Sequence, residues 1–434
     1  MVDLGTMPAA ALKPRAIHWL ALVLLVVSVC INYADRGNLG VAARSLEAEL
    51  HFSKDQLGIL LSAFSITYAL SQFGAGKLID RWNVNWVYGI AFLLWSGATG
   101  FTGLAGGFTS IFILRLLLGA SESMAYPSYS KIICISFPEQ LRGTANALID
   151  AGSKIGPALG VLLGAKMIEW FSWRGMFLVI GAASLLWLAP WSAIVPKLPS
   201  RHVHHPNTPD STPSFGEILS KRSLWGTALG LFGGNYTWFV FLNWLPYYLQ
   251  TERHYSLDQL AIVGSLPFWA VAASSMLFGV AADGLIRRGG DAGRVRQAFV
   301  CFGMLGCGAL MLPAVMVSSR LLANVFLICA FICLGAWSSN NWALTQLLAG
   351  PQAAGKWTGI QNGMGNFAGI LGPAISGYAL QATHSFFAAF AIASGVLILG
   401  VFGYWIVVGH PTELSWKAKA SNDSPMTYIE ISNE

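Results

Sequence analysis

Twelve apolar runs alternate with short polar or glycine-containing breaks, at roughly residues 16–38, 56–78, 84–106, 109–133, 143–168, 174–196, 223–250, 258–284, 297–318, 322–348, 357–381 and 385–409. About 20 apolar residues carry a helix across the hydrocarbon core. The pattern therefore predicts an all-α membrane protein with twelve transmembrane helices. The longest polar stretch, Pro196 to Lys221, is rich in Pro, His, Ser and Thr and parts six runs from six. This gives an N-terminal segment 1–15, a six-helix bundle 16–196, a linker 197–222, a second bundle 223–409 and a tail 410–434.

The halves echo one another. Gly76-Lys-Leu-Ile-Asp80 ends the second run and Gly279-Val-Ala-Ala-Asp283 the eighth. Gly152-Ser-Lys-Ile-Gly156-Pro157 in the fifth has a counterpart in Gly365-Asn-Phe-Ala-Gly369, followed by Pro373, in the eleventh. Parallel duplicated halves place a substrate site near the midplane, between them.

Composition agrees: 55% of the 434 residues are hydrophobic and 11% charged, where soluble domains carry about 25% charged residues. The excess of 26 Lys+Arg over 20 Asp+Glu follows membrane topology and forms no continuous basic patch, which argues against nucleic acid. With the N-terminus inside, 17 basic residues fall on the cytoplasmic side and 6 outside. Both termini are therefore expected in the cytoplasm, at the inner membrane if the source is bacterial. No short apolar core with a small-residue cleavage site opens the chain, so the first run is read as an uncleaved span. The six cysteines lie in apolar segments without disulfide or zinc spacing. His202, His204 and His205 sit among prolines and read as solvated loop rather than a metal site. No metal or cofactor is expected. An enzyme is excluded in the same way, since no nucleophile-base pair or phosphate-binding glycine loop stands out.

Chemistry concentrates in charges at membrane depth, which normally face a bundle interior or a water-filled cavity. Arg115 and Glu122 are seven residues apart, on one helix face and about 10 Å apart along the axis. Glu122 is the leading proton carrier, tuned by Arg115; the structural alternative is a fixed Arg115–Glu122 bridge. Asp35-Arg36 closes the first run, and Arg36 presents a rigid fork of donors suited to a carboxylate. Lys154 lies about 18 Å along the fifth span from Arg142, near the midplane. Two readings remain open for it: local neutralisation by Asp150, four residues earlier, or a second positive charge for a diacid. Ser153 beside it joins the substrate-binding candidates. Tyr68 and Gln72 are one turn apart on a shared wall. Asn235, Tyr236 and Trp238 in the seventh run, Ser339 to Trp342 in the tenth and Asn366 in the eleventh offer amides, hydroxyls and aromatic faces to a polyhydroxylated substrate. Interhelical hydrogen bonding is the alternative for each. All deep charges fall in the first six runs.

These residues also carry a family likeness. Gly76-Lys-Leu-Ile-Asp80-Arg81 resembles the gating-loop signature of the major facilitator superfamily. Arg115-Leu-Leu-Leu-Gly119-Ala-Ser-Glu122, Tyr33-Ala-Asp35-Arg36, and the segment from Ala63 to Gln72 resemble the fourth-, first- and second-span motifs of its anion:cation symporter family, among them the sugar-acid:proton symporters. Trp337 to Trp342 and Asn362 to Gly372 fit the tenth and eleventh spans. The resemblance implies a substrate-binding arginine at Arg36, a substrate-contacting Tyr68, and proton coupling through Asp35, with Ser339, Trp342 and Asn366 as the better candidates opposite. Proton-coupled uptake of an organic anion, a sugar acid above all, by one chain working as a monomer, is the favoured expectation. The glycines Gly143, Gly152, Gly156 and Gly160 with Pro157 resemble the fifth span of drug:proton antiporters and keep an antiporter or exporter of an anion as the alternative. A transporter-like sensor is the third reading.

Overall fold

The computed structural model describes residues 14–137, 139–198 and 213–416, with some side chains among them left undescribed. Its helices are α1 (Ala16–Leu50), α2 (Lys54–Arg81), α3 (Val84–Thr102), α4 (Phe108–Glu122), α5 (Ala125–Ser136), α6 (Glu139–Leu185), α7 (Leu188–Ile194), α8 (Phe215–Leu219), α9 (Arg222–Thr251), α10 (Leu257–Val263), α11 (Leu266–Arg287), α12 (Ala292–Met316), α13 (Arg320–Thr383) and α14 (Phe386–Phe402), the last running into a π-turn, Gly403–Val407. They form the twelve-helix, two-bundle architecture. Seven stretches are long and apolar enough to cross a membrane by length and composition alone. Large apolar side chains such as Leu186, Met276, Leu277 and Leu321 are more than two-thirds exposed, a surface suited to lipid. The histidines 202, 204 and 205 lie outside the described residues.

The elements depart from the hydrophobic runs in instructive ways. The first helix extends to Leu50: Leu39 to Ala43 and Leu46 are buried beyond the predicted run, Gly40 lying against Asn243 of α9, while Arg44 and Glu49 stay exposed. The fourth span is two helices, α4 and α5, meeting at Ser123–Met124. The fifth and sixth spans are parted within α6 by the non-helical backbone of Ser172 (φ 63°, ψ 173°), and the tenth and eleventh within α13 by that of Gly350 (φ 63°, ψ 172°), where the hydrophobic runs break too. A glycine suits Gly350, since that backbone region disfavours a Cβ.

The duplication is sharper in three dimensions than the glycine echoes indicate. His51-Phe-Ser-Lys-Asp-Gln-Leu57 and His254-Tyr-Ser-Leu-Asp-Gln-Leu260 are 203 residues apart. Both histidines are left-handed, φ 55° and 52°. In both, the backbone N–H of the following serine (Ser53, Ser256) donates to the glutamine three residues on, at 3.0 and 3.2 Å. The same turn thus starts the second span of each half.

The halves touch mainly at one end. Arg44 Nη1 donates to the Gln250 carbonyl (2.9 Å), Tyr247 Oη to Glu47 Oε2 (2.5 Å) and the Lys54 backbone N–H to Gln381 Oε1 (3.2 Å), and Lys166 pairs with Asp258. These residues lie on the face opposite the described chain ends. One apolar core runs across both halves there, from Leu39, Leu46 and Val161 to Leu245 and Phe390. Towards the face carrying the chain ends, the first half has a separate core around Tyr88, Phe92, Trp187 and Trp191. The molecule is closed on one side and parted on the other.

The fifth-span glycines are explained by packing. A Cβ at Gly156 would stand 2.6 Å from the Cys30 carbonyl oxygen, and one at Gly160 2.9 Å from the Ala34 Cα. They let α6 lie directly on α1, a role that any bundle of this kind can use.

Candidate functional site

A cavity of about 420 Å³ lies between the halves, in the size range of small-molecule sites. Its deep wall comes from Tyr33 and Arg36 of α1, Tyr68 of α2 and Trp238 and Leu242 of α9. Gln72, Asp150, Gln346 and Thr358 carry the lining towards the face of the chain ends, where the halves part. The two sides differ in chemistry. The first half contributes Arg36, Asp150, Ser153 and Lys154, and the second neutral Asn235, Asn341, Trp342, Asn362 and Asn366.

Arg36 is the centre of the charged wall. Its Nε donates to Glu122 Oε2 at 2.9 Å, joining α1 to α4, and the Glu122 side chain has no solvent exposure. The guanidinium lies 4.4 Å from the Tyr33 ring centre, 4.6 Å from Tyr68 and 5.1 Å from Phe64. These aromatic faces attract the cation and hold it in place. Tyr33 and Tyr126 bond through their hydroxyls at 3.1 Å. Arg36 Nη2 has no hydrogen-bond partner among the described residues.

The alternative of a fixed Arg115–Glu122 bridge does not match this geometry. Arg36 takes Glu122, and Arg115 lies instead 5.5 Å from the Phe64 ring, its Nε unpartnered among the described residues. Two turns of one helix separate the α4 residues, whereas α1 crosses beside Glu122. Asp35 is buried behind the cavity and accepts from Asn38 Nδ2 at 3.2 Å. Adjacent to Arg36 in sequence, it points into the bundle, as the 100° step of a helix requires.

Lys154 Nζ donates to Asp150 Oδ2 at 2.5 Å, and both side chains line the cavity. Gln72, Ser153, Tyr68, Asn235, Trp342 and Asn366 line it too. Two candidates do not. Tyr236 is 1% exposed and packs against Phe232, so it is its neighbour Asn235 that faces the cavity. Ser339 donates back to the Gly335 carbonyl at 3.1 Å, and Ser338 takes the lining position. Adjacent residues point 100° apart on a helix, so only one of each neighbouring pair faces the cavity. Arg81 is exposed at the end of α2, while the surroundings of Gly76 and the Asp80 side chain lie outside those described.

Sequence reasoning passed over Tyr126 and gave Tyr33 no role of its own. Both had a signal in the helical period: Tyr33 is three residues before Arg36, and Tyr126 four after Glu122. Asn341 has a further tie, accepting from Tyr404 Oη on the π-turn that follows α14.

Two bundles enclosing a polar cavity between them, charged on one wall and amide-lined on the other, define a membrane transporter rather than an enzyme. The chain belongs to the Major Facilitator Superfamily, whose model matches residues 25–373. It is 28% identical over 410 residues to the probable L-galactonate transporter of Escherichia coli (strain K12), covering 92% of this chain and 90% of that one. It is 29% identical over 435 residues to the probable galactarate/D-glucarate transporter of the same strain, covering 92% and 96%. The fold is similar to that of a bacterial homologue of the human lysosomal transporter Spinster, with TM-score 0.80 at 17% identity, over 92% of this chain and 98% of that one.

Proposed function

We propose that this transporter takes up a sugar acid together with protons, by alternating access. The observation that carries the reading is the Arg36–Glu122 pair: a guanidinium at the cavity wall whose bonded partner is a carboxylate sealed from solvent. A proton arriving on Glu122 removes the competing negative charge, so that Arg36 can take the substrate carboxylate. Loss of substrate lets Glu122 release its proton and re-form the pair. Asp35, buried one residue away, is a second proton site in the same bundle, and Arg115 sets the local charge. The amides Asn235, Asn362 and Asn366 suit the substrate hydroxyls, and Trp342 and Trp238 its C–H edges.

The relatives named for galactonate and for galactarate/D-glucarate support the sugar-acid class. The basic-residue count favours the parted face as cytoplasmic, with both termini inside a bacterial inner membrane. The cavity lies within one chain, so a monomer suffices. In proteoliposomes with an imposed pH gradient, a panel of aldonates, aldarates and hexuronates should show accumulation driven by inward proton flow. Accumulation under the opposite gradient would replace symport with exchange, and silence towards every acid would refute the sugar-acid reading.

A further inference from the structure

We propose that Lys154 and Asp150 form a second carboxylate site in the cavity, making this chain selective for dicarboxylate sugar acids over the corresponding monocarboxylates. The proposal rests on the sugar-acid reading and deepens it. Two cations line the cavity, Arg36 and Lys154, and each already holds one carboxylate of the protein: Glu122 at 2.9 Å and Asp150 at 2.5 Å. The empty wall therefore consists of two paired cations, on α1 and α6, each able to exchange its protein partner for a carboxylate of the ligand.

The Lys154 pair is built differently from a structural bridge. Both residues sit on one helix, four apart, so the bond joins no two elements and pins nothing. The Lys154 side chain is only 13% exposed, while that of Asp150 is 64% exposed. The ammonium is thus held within the wall by a partner free to swing into the opening. A pair of this kind contributes little to stability, yet it keeps a positive charge at membrane depth, where an unpaired one is costly. An incoming carboxylate displaces Asp150 and keeps the lysine neutralised. The opposite wall offers only neutral groups among the described lining residues, Asn235, Asn362, Asn366 and Gln346 with them, which suits the hydroxylated carbons between two acidic ends.

Galactarate and L-galactonate test this, because they differ only at one end of the same six-carbon chain. Binding to the purified full chain is measured by titration calorimetry for wild type, Lys154→Gln and Asp150→Asn. Wild type should bind galactarate roughly tenfold or more tightly, the value of a charge-assisted bond. Lys154→Gln should remove that preference by weakening galactarate binding about tenfold, and Asp150→Asn, which leaves the lysine uncontested, should strengthen galactarate binding. A wild type without preference for galactarate, or a preference surviving in Lys154→Gln, overturns the second site alone. Failure of both acids to bind overturns the sugar-acid reading and this inference with it. Should Lys154→Gln fail to fold, the Asp150→Asn result still decides: galactarate binding unchanged or weakened contradicts the exchange of partners.

Discussion

Arg36 has three functions in one side chain: it bonds Glu122, it is clasped by aromatic rings, and it lines the cavity. Lysine at this position keeps the charge but loses the planar fork and the ring stacking. Arg36→Lys should weaken sugar-acid binding by about tenfold or more in titration calorimetry, on the order of 1.5–3 kcal/mol; unchanged affinity would place the substrate elsewhere. The residue types were legible in the sequence: Arg36, Glu122, Tyr68, Gln72 and Lys154 all stand out as polar groups in apolar runs. Their partners were less so. Arg36 and Glu122 are 86 residues apart, and which residues of two crossing helices meet depends on rotation and tilt that one helix's own period does not define. That Asn235 and not Tyr236 faces the cavity, and Ser338 in place of Ser339, has the same origin.

At the scale of elements, small residues decide how closely helices approach. A Cβ at Gly40 of α1 would lie 2.4 Å from the Asn243 carbonyl oxygen of α9, across the closed end. Valine there cannot fit without parting the halves. Gly40→Val should therefore shift the molecule away from the closed arrangement of that end, seen as faster hydrogen–deuterium exchange over residues 240–250, with slower transport. Exchange identical to wild type would show that this contact does not hold the halves together. Gly156→Leu acts within one half, against the Cys30 carbonyl and Tyr33 Cβ. It should destabilise the fold through overpacking by about 1–3 kcal/mol, seen as a lower melting temperature; a variant as stable as wild type would contradict that packing. The hydrophobic runs located these helices well. They placed the breaks near Ser172 and Gly350 but did not reveal the one at Ser123–Met124, because hydropathy reports burial in lipid and not backbone angles.

At the scale of the molecule, asymmetry is the organising feature. One core spans both halves at the closed end, and a separate one lies in the first half at the other. Charge is equally uneven: the charged side chains lining the cavity belong to the first half, and most of the lining amides to the second. If the parted face is cytoplasmic, a tag after the last residue should resist an impermeant protease applied to spheroplasts and be cut in inverted vesicles. Cleavage in intact spheroplasts would reverse the orientation.

The pairing of proton and anion at Glu122 and Arg36 is tested most directly by Glu122→Gln in proteoliposomes, with counterflow and gradient-driven uptake of the same sugar acid measured side by side. Glutamine keeps the shape of the side chain and cannot carry the proton. Counterflow should run near the wild-type rate, with no accumulation under an inward proton gradient. Full gradient-driven accumulation by Glu122→Gln would contradict that pairing.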